Sequence, residues 1–419
     1  VAEGVIAVMF RWTDGDGYIK TWNVSNNGSF TAVDIHEFDT ADLVDTENDF
    51  IYVGNNTYAI AYEGTSSDGF VRTVNILSNG TITGNLDVLE FDTTYAKHIS
   101  IAGGYDNNTY AVAYCDTNID TKMVSFQIEL NGTISEILDS SIIDANGCDY
   151  PATINITNNL SLTSYTLSSG YNGYITTRYI YPNGTIGNEL DSFEFDGTNG
   201  QFPEQIMLSD EIVAVVYDAQ DADDGWIKTI NISSDGTIVG AIDSHEYDTN
   251  TGLYPSIVHT TGNYYVIAYT GSGSDGYIRT VEMLSNGTIV GNLDYYEFDE
   301  AYGLEPWVIF SDGFAKVVYQ NTDTDGYLKT FEILDNGMIG SAIKDATEFL
   351  TSDVYGSQVS HVIDNVSVVH YHPTGSGTNY IKSYYIYENG TIDYITSTSY
   401  SCDTGNDGNS EMLKVAEGV

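Results

Sequence analysis

Three loops of this sequence carry aspartates spaced by two residues, and such carboxylates could bind a hard cation. The pairs are Asp14/Asp16, Asp221/Asp223 and Asp323/Asp325, each with a glycine close by. Calcium takes roughly six to eight oxygen ligands, several of which carboxylates at this spacing can supply. The loops therefore predict a Ca²⁺ site, although Asp-Gly is also the chemistry of an ordinary turn.

Carboxylates could instead catalyse hydrolysis, as in glycosidases, where two acids in different environments act together. The chain has 60 acidic residues, most of them repeated at equivalent positions, and no pair stands out. We therefore expect no enzymatic activity, and a polysaccharide-active enzyme is a minor alternative. A non-repeating carboxylate pair in a central channel would favour the enzyme.

Histidines and cysteines offer two further kinds of chemistry. His361, His370 and His372 could bind a transition metal, but such residues are more often buried or structural. Cys115 and Cys148 lie where a disulfide could join them in an oxidising setting. Cys402 is then left over, and it could pair between subunits or stay buried and reduced.

Sequons for N-linked glycosylation are frequent, and many of them share one position in a repeat. We expect N-linked glycans on an exported, extracellular protein. The acceptor asparagines are Asn23, Asn27, Asn55, Asn79, Asn107, Asn131, Asn155, Asn159, Asn183, Asn231, Asn286, Asn365 and Asn389.

These residues are positioned by an internal repeat, which is clearest in the stretch from Ser67 to Asp92. A glycine after Asn or Asp marks each unit: Gly28, Gly80, Gly132, Gly184, Gly236, Gly287, Gly337 and Gly390, at steps of 52, 52, 52, 52, 51, 50 and 53 residues. Repeats of this length are typical of array architectures.

Each unit contains four short strands. In the second unit we expect them at Asp49–Val53, Thr57–Tyr62, Phe70–Leu77 and Ile82–Phe91, with a type I′ Asn-Gly turn before the last. Four antiparallel strands in every repeat predict an all-β fold. Residues 1–419 are expected to form a single eight-bladed β-propeller with repeats of about 52 residues.

The two ends of the chain predict closure of the ring. The first unit lacks its first strand, and Met412–Ala416 reads as an unpaired first strand that could complete it. Val1–Val5 and Val415–Val419 are the same pentapeptide, in phase with the repeat. We therefore expect association with further copies of the chain, in tandem or end to end.

The composition excludes several partners. With 13 basic residues and a net charge of −47, the chain is unsuited to nucleic acid. No apolar run reaches the length of a membrane span, so no membrane insertion is expected.

The order of the strands predicts a disc with two different faces. The turns after strands one and three carry nearly all sequons. The opposite face carries the acidic loops and the E-F-D motifs or their relatives, which end at Asp39, Asp92 and Asp248. Basic residues in strand three, such as Arg72 and Arg279, are expected to pair with Asp87, Asp243 or Asp294.

With these repeats and loops, the chain resembles extracellular β-propeller repeat proteins of microbial, archaeal-type cell surfaces, and its D-x-D-G loops are loosely similar to those of integrin-type calcium propellers. The resemblance implies surface display, adhesion or assembly. We therefore expect a glycosylated structural protein that forms a surface layer or filament. The alternative is a calcium-dependent adhesin or a carbohydrate-binding propeller.

Overall fold

The computed structural model describes residues 4–12, 14–41, 43–44, 48–157, 159–219, 224–340, 343–373, 378–394, 399–402 and 411–414. These residues form eight antiparallel sheets, and each sheet is one blade of a ring. The prediction of an all-β, eight-bladed propeller is therefore confirmed.

We name the strands of each blade A to D, from the axis outward. Blade 1 contains Glu411–Lys414, Val5–Arg11, Gly17–Val24 and Phe30–Asp39; blade 2 Asp49–Gly54, Thr57–Glu63, Gly69–Ile76 and Ile82–Asp92; blade 3 Lys97–Tyr105, Thr109–Cys115, Thr121–Gln127 and Asp139–Asp144; blade 4 Asp149–Thr157, Leu160–Thr166, Gly173–Tyr179 and Asp191–Asp196.

The remaining blades follow the same order. Blade 5 contains Gln201–Ser209, Ile212–Ala219, Asp224–Ile232 and Ile238–Asp248; blade 6 Leu253–His259, Tyr264–Thr270, Gly276–Met283 and Ile289–Asp299; blade 7 Leu304–Ser311, Phe314–Gln320, Gly326–Glu332 and Asp345–Leu350; blade 8 Val354–Ile363, Val366–Pro373 and Tyr380–Ile386, with Ile392–Tyr394 and Tyr400–Ser401 both paired to the last of these. Short 3₁₀ turns occupy Thr65–Ser67, Asp106–Asn108 and Ser272–Ser274.

Strand B forms the centre of each blade because it is apolar on both faces. In Thr57–Glu63 every residue is buried, and its two faces contribute to two different hydrophobic clusters. One face packs on the preceding blade and the other on the following blade. Successive blades are thus joined by continuous apolar contact.

The ring closes within the chain. Glu411–Lys414 pairs antiparallel with Val5–Arg11 and supplies strand A of blade 1, as the sequence predicts. On the other side of this blade, the Ser383 hydroxyl donates to the Gly28 carbonyl at 2.6 Å. The repeated pentapeptide lies mostly outside the described residues, so association with further copies remains a prediction.

A second set of hydrogen bonds joins neighbouring blades at the rim. An aspartate of strand D, such as Asp87, accepts the backbone N–H of Ile134 in the next blade at 2.8 Å. Asp243 and Ile289 make the same bond at 2.9 Å. The prediction that Asp87, Asp243 and Asp294 pair with basic side chains is therefore wrong, since each accepts a backbone N–H of the following blade.

The Asn-Gly turns differ from the predicted type. Gly80 has a φ of +87°, but Asn79 is not in the left-handed region, so the turn is not type I′. The Gly80 N–H donates to the Leu77 carbonyl at 2.7 Å, and the Leu77 N–H donates to the Thr81 carbonyl at 2.8 Å. This pattern fits a type I turn followed by one left-handed glycine.

Candidate functional site

The eight A strands meet around the axis, where each contacts the A strand of the next blade. Each A strand pairs with strand B on one side only. Its other edge therefore presents backbone groups to the central channel. Side chains beside this edge are the candidates for a site, because propellers enclose their channel at this place.

One inner position of strand A varies from blade to blade and includes acidic residues. In blades 2 to 8 it is held by Asp49, Ser100, Ala152, Glu204, Ser256, Trp307 and Gln358, which pair with equivalent residues of strand B. Two of the seven are carboxylates, and they lie three blades apart. Trp307 is 41% exposed, whereas Ser256 is 5% exposed, so this position borders open space in blade 7.

Asp49 is held by backbone hydrogen bonds on both of its oxygens. One oxygen accepts the Phe50 N–H at 2.8 Å, and the other accepts the Ile101 N–H of the next blade at 2.8 Å. Burial raises the pKa of Asp49 above its usual range, and these bonds only partly offset that effect.

Glu204 has the same position but fewer partners. Its Oε2 accepts the N–H of Ile257, on the A strand of the next blade, at 2.9 Å. Among the described contacts this is its one hydrogen bond. Burial raises the pKa of Glu204 to about 7, against which the bond from Ile257 acts weakly. Near neutral pH this carboxylate can both take up and release a proton, as a general base must.

The mouth of the channel is formed where the A strands begin. A register shift follows the first residue of the strand in blades 3 to 7, and the next residue has a positive φ. These residues are His98 (50°), Tyr150 (46°), Phe202 (49°), Tyr254 (50°) and Glu305 (46°). His98 Nε2 lies 3.2 Å from Asp149 Oδ1 of the next blade.

Sequence reasoning missed Asp49 and Glu204. The signal that could have found them is a comparison of the first strands alone. Aligned on strand B, Asp49 and Glu204 replace Ser100, Ala152 and Ser256 at one position.

The predicted calcium loops are only partly described, because Asp221 and Asp223 lie outside the described residues. Asp14 Oδ1 accepts the Asp16 N–H at 3.2 Å. Asp323 and Asp325 donate their N–H groups to the side chain of Asn321, at 3.1 and 2.9 Å. In the described loops these contacts are turn chemistry. The described residues hold no group of three or more His, Cys, Asp or Glu side chains suited to a metal ion.

The acidic face is less acidic than predicted, since the E-F-D carboxylates turn inward. Asp39 and Asp92 are 8% and 7% exposed, and they lie between blades. Each bonds to a strand B tyrosine and a strand C cation of the next blade. The ion pairs are Arg72–Asp39 at 3.3 Å, Lys122–Asp92 at 3.1 Å, Arg279–Asp248 at 3.3 Å and Lys329–Asp299 at 3.8 Å.

The histidines of blade 8 are not gathered into a metal site. His370 is fully buried, and burial followed by the nearby His372 lowers its pKa to about 3. His361 lies 3.6 Å from Asp312 instead. The cysteines do meet: a disulfide joins Cys115, in strand B of blade 3, to Cys148, just before strand A of blade 4.

The sequon asparagines at the shared repeat position lie in exposed C–D turns. Their side chains accept the N–H of the residue two positions on, as Asn131 does from Thr133 at 3.0 Å. Asp235 makes the same bond to Thr237 at 3.0 Å without a sequon. Turn geometry therefore explains the regular spacing, and glycan attachment remains a prediction.

The fold resembles several solved propellers. A periplasmic gluconolactonase of Pseudomonas aeruginosa aligns over 83% of this chain and 97% of its own, at 10% identity and a TM-score of 0.55. A putative 6-phosphogluconolactonase of Bacteroides fragilis aligns over 84% and 95%, at 14% identity and 0.54. Saccharomyces cerevisiae Sqt1 aligns over 95% and 93%, at 11% identity and 0.54. No protein-family model and no curated protein sequence matches.

At these identities the likeness establishes the fold alone. Solved propellers of this shape are nevertheless named as lactonases, and this finding speaks against the predicted function. The prediction of a filament- or layer-forming structural protein without enzymatic activity is therefore wrong. Of the predicted resemblance, the propeller architecture holds. No helix among the described residues is long and apolar enough to cross a membrane.

Proposed function

We propose that this propeller is a hydrolase that opens a cyclic ester, a lactone, in its central channel. The observation that carries this proposal is the carboxylate pair Asp49 and Glu204, which interrupts the repeat at one position of the channel wall. At the equivalent positions Ser100 and Ser256 accept an N–H of the next blade through neutral hydroxyls, whereas Asp49 and Glu204 bring a carboxylate to the same place. The names of the similar propellers support the choice of a lactone over other esters.

Glu204 is the general base in this proposal. Its carboxylate takes a proton from water while the water oxygen attacks the lactone carbonyl carbon. When the ring C–O bond breaks, Glu204 returns the proton to the leaving alkoxide oxygen, and the carboxylate is regenerated. Its pKa of about 7 suits both transfers.

Asp49 has a positioning role, because both of its oxygens are already bonded to backbone N–H groups. It fixes the neighbouring A strand through the Ile101 N–H, and in this proposal other backbone N–H groups of the A strand edges stabilise the negative oxygen of the tetrahedral intermediate. The product is a carboxylate, and the net charge of −47 favours its departure from an acidic protein.

The test is hydrolysis of neutral lactones with five- and six-membered rings. The rate is measured as release of acid at constant pH, and the spontaneous rate of hydrolysis is subtracted. We expect Glu204→Gln to lower kcat/KM by about 100-fold or more. The matched control is Asp243→Asn, since Asp243 also accepts a backbone N–H of the next blade at 2.9 Å but lies at the rim. An unchanged rate in Glu204→Gln, or no rate above background in the natural protein, would refute the proposal.

We also propose that the protein acts in an extracellular or otherwise oxidising compartment. The Cys115–Cys148 disulfide supports this, since such bonds persist where thiols are not kept reduced. The thirteen sequons support it as well. N-linked glycans and a bound Ca²⁺ remain proposals, to be checked by intact mass and by metal analysis of protein from its natural source.

A further inference from the structure

The residues at the channel mouth keep side chains where glycine would be easier to accommodate. A φ near +50° suits glycine and costs a bulky residue on the order of 1 kcal/mol. Blade 8 has Gly356 at this position, with a φ of +57°. Blades 4, 5 and 6 have Tyr150, Phe202 and Tyr254. Three neighbouring blades thus retain an aromatic ring at a conformational cost, which indicates that the rings have a use.

These rings touch one another around the channel. The ring centroids of Tyr150 and Phe202 are 4.7 Å apart, and those of Phe202 and Tyr254 are 4.6 Å apart. Their planes are inclined by 43° and 54°, so the rings form a curved wall rather than a stack. All three residues are half-buried, so each keeps some surface exposed to solvent. We call Tyr150, Phe202 and Tyr254 the mouth wall.

Carboxylates flank the mouth wall at both ends. Asp149 precedes Tyr150, and the exposed Glu305 has the equivalent position in the blade after Tyr254. Burial, followed by the nearby charges of Glu305 and Asp218, raises the pKa of Tyr254. The basic neighbour His98 is already paired with Asp149.

We propose that the mouth wall, together with Glu305, binds an organic cation of the quaternary ammonium type. The face of an aromatic ring carries partial negative charge and attracts such cations, and a carboxylate beside the mouth wall adds to this attraction. A neutral sugar would gain from the rings but not from the charges, and an anion would be repelled. The site uses neither Asp49 nor Glu204, and it is independent of the proposed hydrolase function.

The experiment compares two ligands of nearly the same shape by titration calorimetry. Choline carries the charge, and 3,3-dimethylbutan-1-ol replaces its nitrogen with carbon. We expect choline to bind at least about tenfold more tightly, with the difference shrinking as salt is raised. Glu305→Gln should weaken choline binding by about five- to tenfold and leave the neutral ligand unaffected.

Variants of the rings then locate the site. Phe202→Leu should weaken choline binding by about fivefold or more, and Phe202→Tyr should preserve it. Phe70→Leu is the control. Phe70 lies in strand C of blade 2, away from the mouth wall, and its half-buried ring stacks on that of Tyr62. Thermal melting of each variant verifies that it is folded. Glu204→Gln should bind choline normally, which separates this proposal from the hydrolase.

Three results would overturn the proposal: no choline binding, equal binding of both ligands, or Phe202→Leu binding choline as the natural protein does. Tighter binding of an uncharged monosaccharide than of choline would also overturn it, and would assign the mouth wall to a sugar instead.

Discussion

The side-chain oxygen of Asn79 accepts the backbone N–H of Thr81 at 3.0 Å, within the turn that joins strands C and D of blade 2. Both residues belong to one sequon, so the group that would carry a glycan also stabilises the turn. In blade 5 Asp235 makes the equivalent bond to Thr237 at 3.0 Å. The structural and modification roles of this position can therefore be separated by a single substitution.

Asn79→Asp should keep the stability of the protein and abolish its glycan at this turn. Aspartate retains the accepting oxygen, as Asp235 shows, but it is not a glycan acceptor. Asn79→Ala should lower the free energy of unfolding by about 0.5–1 kcal/mol, since the N–H of Thr81 loses its partner. Urea unfolding of both variants measures the stability, and intact mass of protein from a glycosylating host measures the modification. A mass difference no larger than that of the Asn-to-Asp exchange itself would show that this sequon carries no glycan.

The repeat was sufficient to predict the architecture because its signals are local. The four strands of blade 2 begin and end within about one residue of the predicted bounds, since Gly80 and the Asp-Gly pair at Asp68 mark the turns in the sequence. The closing strand was also predictable, because the first unit lacks one strand and the end of the chain supplies it.

The channel could not be predicted in the same way. Glu204 is one acid among 60, and its environment depends on Ile257, which is 53 residues away in sequence. Which strand lines the axis, and which edge of that strand is unpaired, is decided only when eight blades close. The same is true of Asp92, whose partner Lys122 belongs to the next blade.

Removing the disulfide should destabilise the junction of blades 3 and 4. Cys115 and Cys148 are separated by 33 residues. In the chain-entropy model, a cross-link that closes a loop of that length raises the free energy of the unfolded chain by about 3–4 kcal/mol. Cys115→Ala with Cys148→Ala should lower the melting temperature, and a reducing agent should do the same to the natural protein. Cys402→Ala is the control, because Cys402 is a buried cysteine outside this disulfide. If the reducing agent destabilises the double variant as much as the natural protein, the effect does not come from this bond.

Glu204 should make the stability of the protein depend on pH in a defined window. Its pKa is raised from an ordinary value near 4.5 to about 7 by burial. Below pH 4.5 the group is protonated in both the folded and the unfolded state. As the pH rises to about 7 the unfolded state loses this proton first, so the folded state is progressively disfavoured, and above pH 7 the penalty is constant.

Glu204→Gln should therefore be more stable than the natural protein at pH 8, on the order of 2 kcal/mol after allowance for the solvent that reaches a half-buried group. The two proteins should be equally stable at pH 4. Urea unfolding at pH 4, 6 and 8 measures the difference. A stability difference that does not change with pH would contradict the raised pKa.

Asp92 should produce the opposite dependence. Burial would raise its pKa, but hydrogen bonds from Thr94, Tyr114 and Lys122 outweigh burial and lower the pKa to about 2. The Tyr114 hydroxyl donates to it at 2.8 Å and Lys122 Nζ at 3.1 Å. A carboxyl with a lowered pKa stabilises the folded state above the unfolded value of about 3.9, and this contribution is lost as the pH falls through about 2.

Asp92→Asn should accordingly lower the free energy of unfolding on the order of 2 kcal/mol at pH 7, because Lys122 loses its counter-charge between the blades. The loss should shrink as the pH falls below 4 and be smallest near pH 2, where the natural carboxylate is itself becoming protonated. Asp144→Asn is the matched control: Asp144 accepts the hydroxyl of Tyr165 at 3.0 Å, and within the described chain it makes no ion pair. Urea unfolding at pH 7, 4 and 2 should therefore show a larger and more pH-dependent loss for Asp92 than for Asp144. Equal losses at every pH would mean that the ion pair with Lys122 contributes nothing to joining blades 2 and 3.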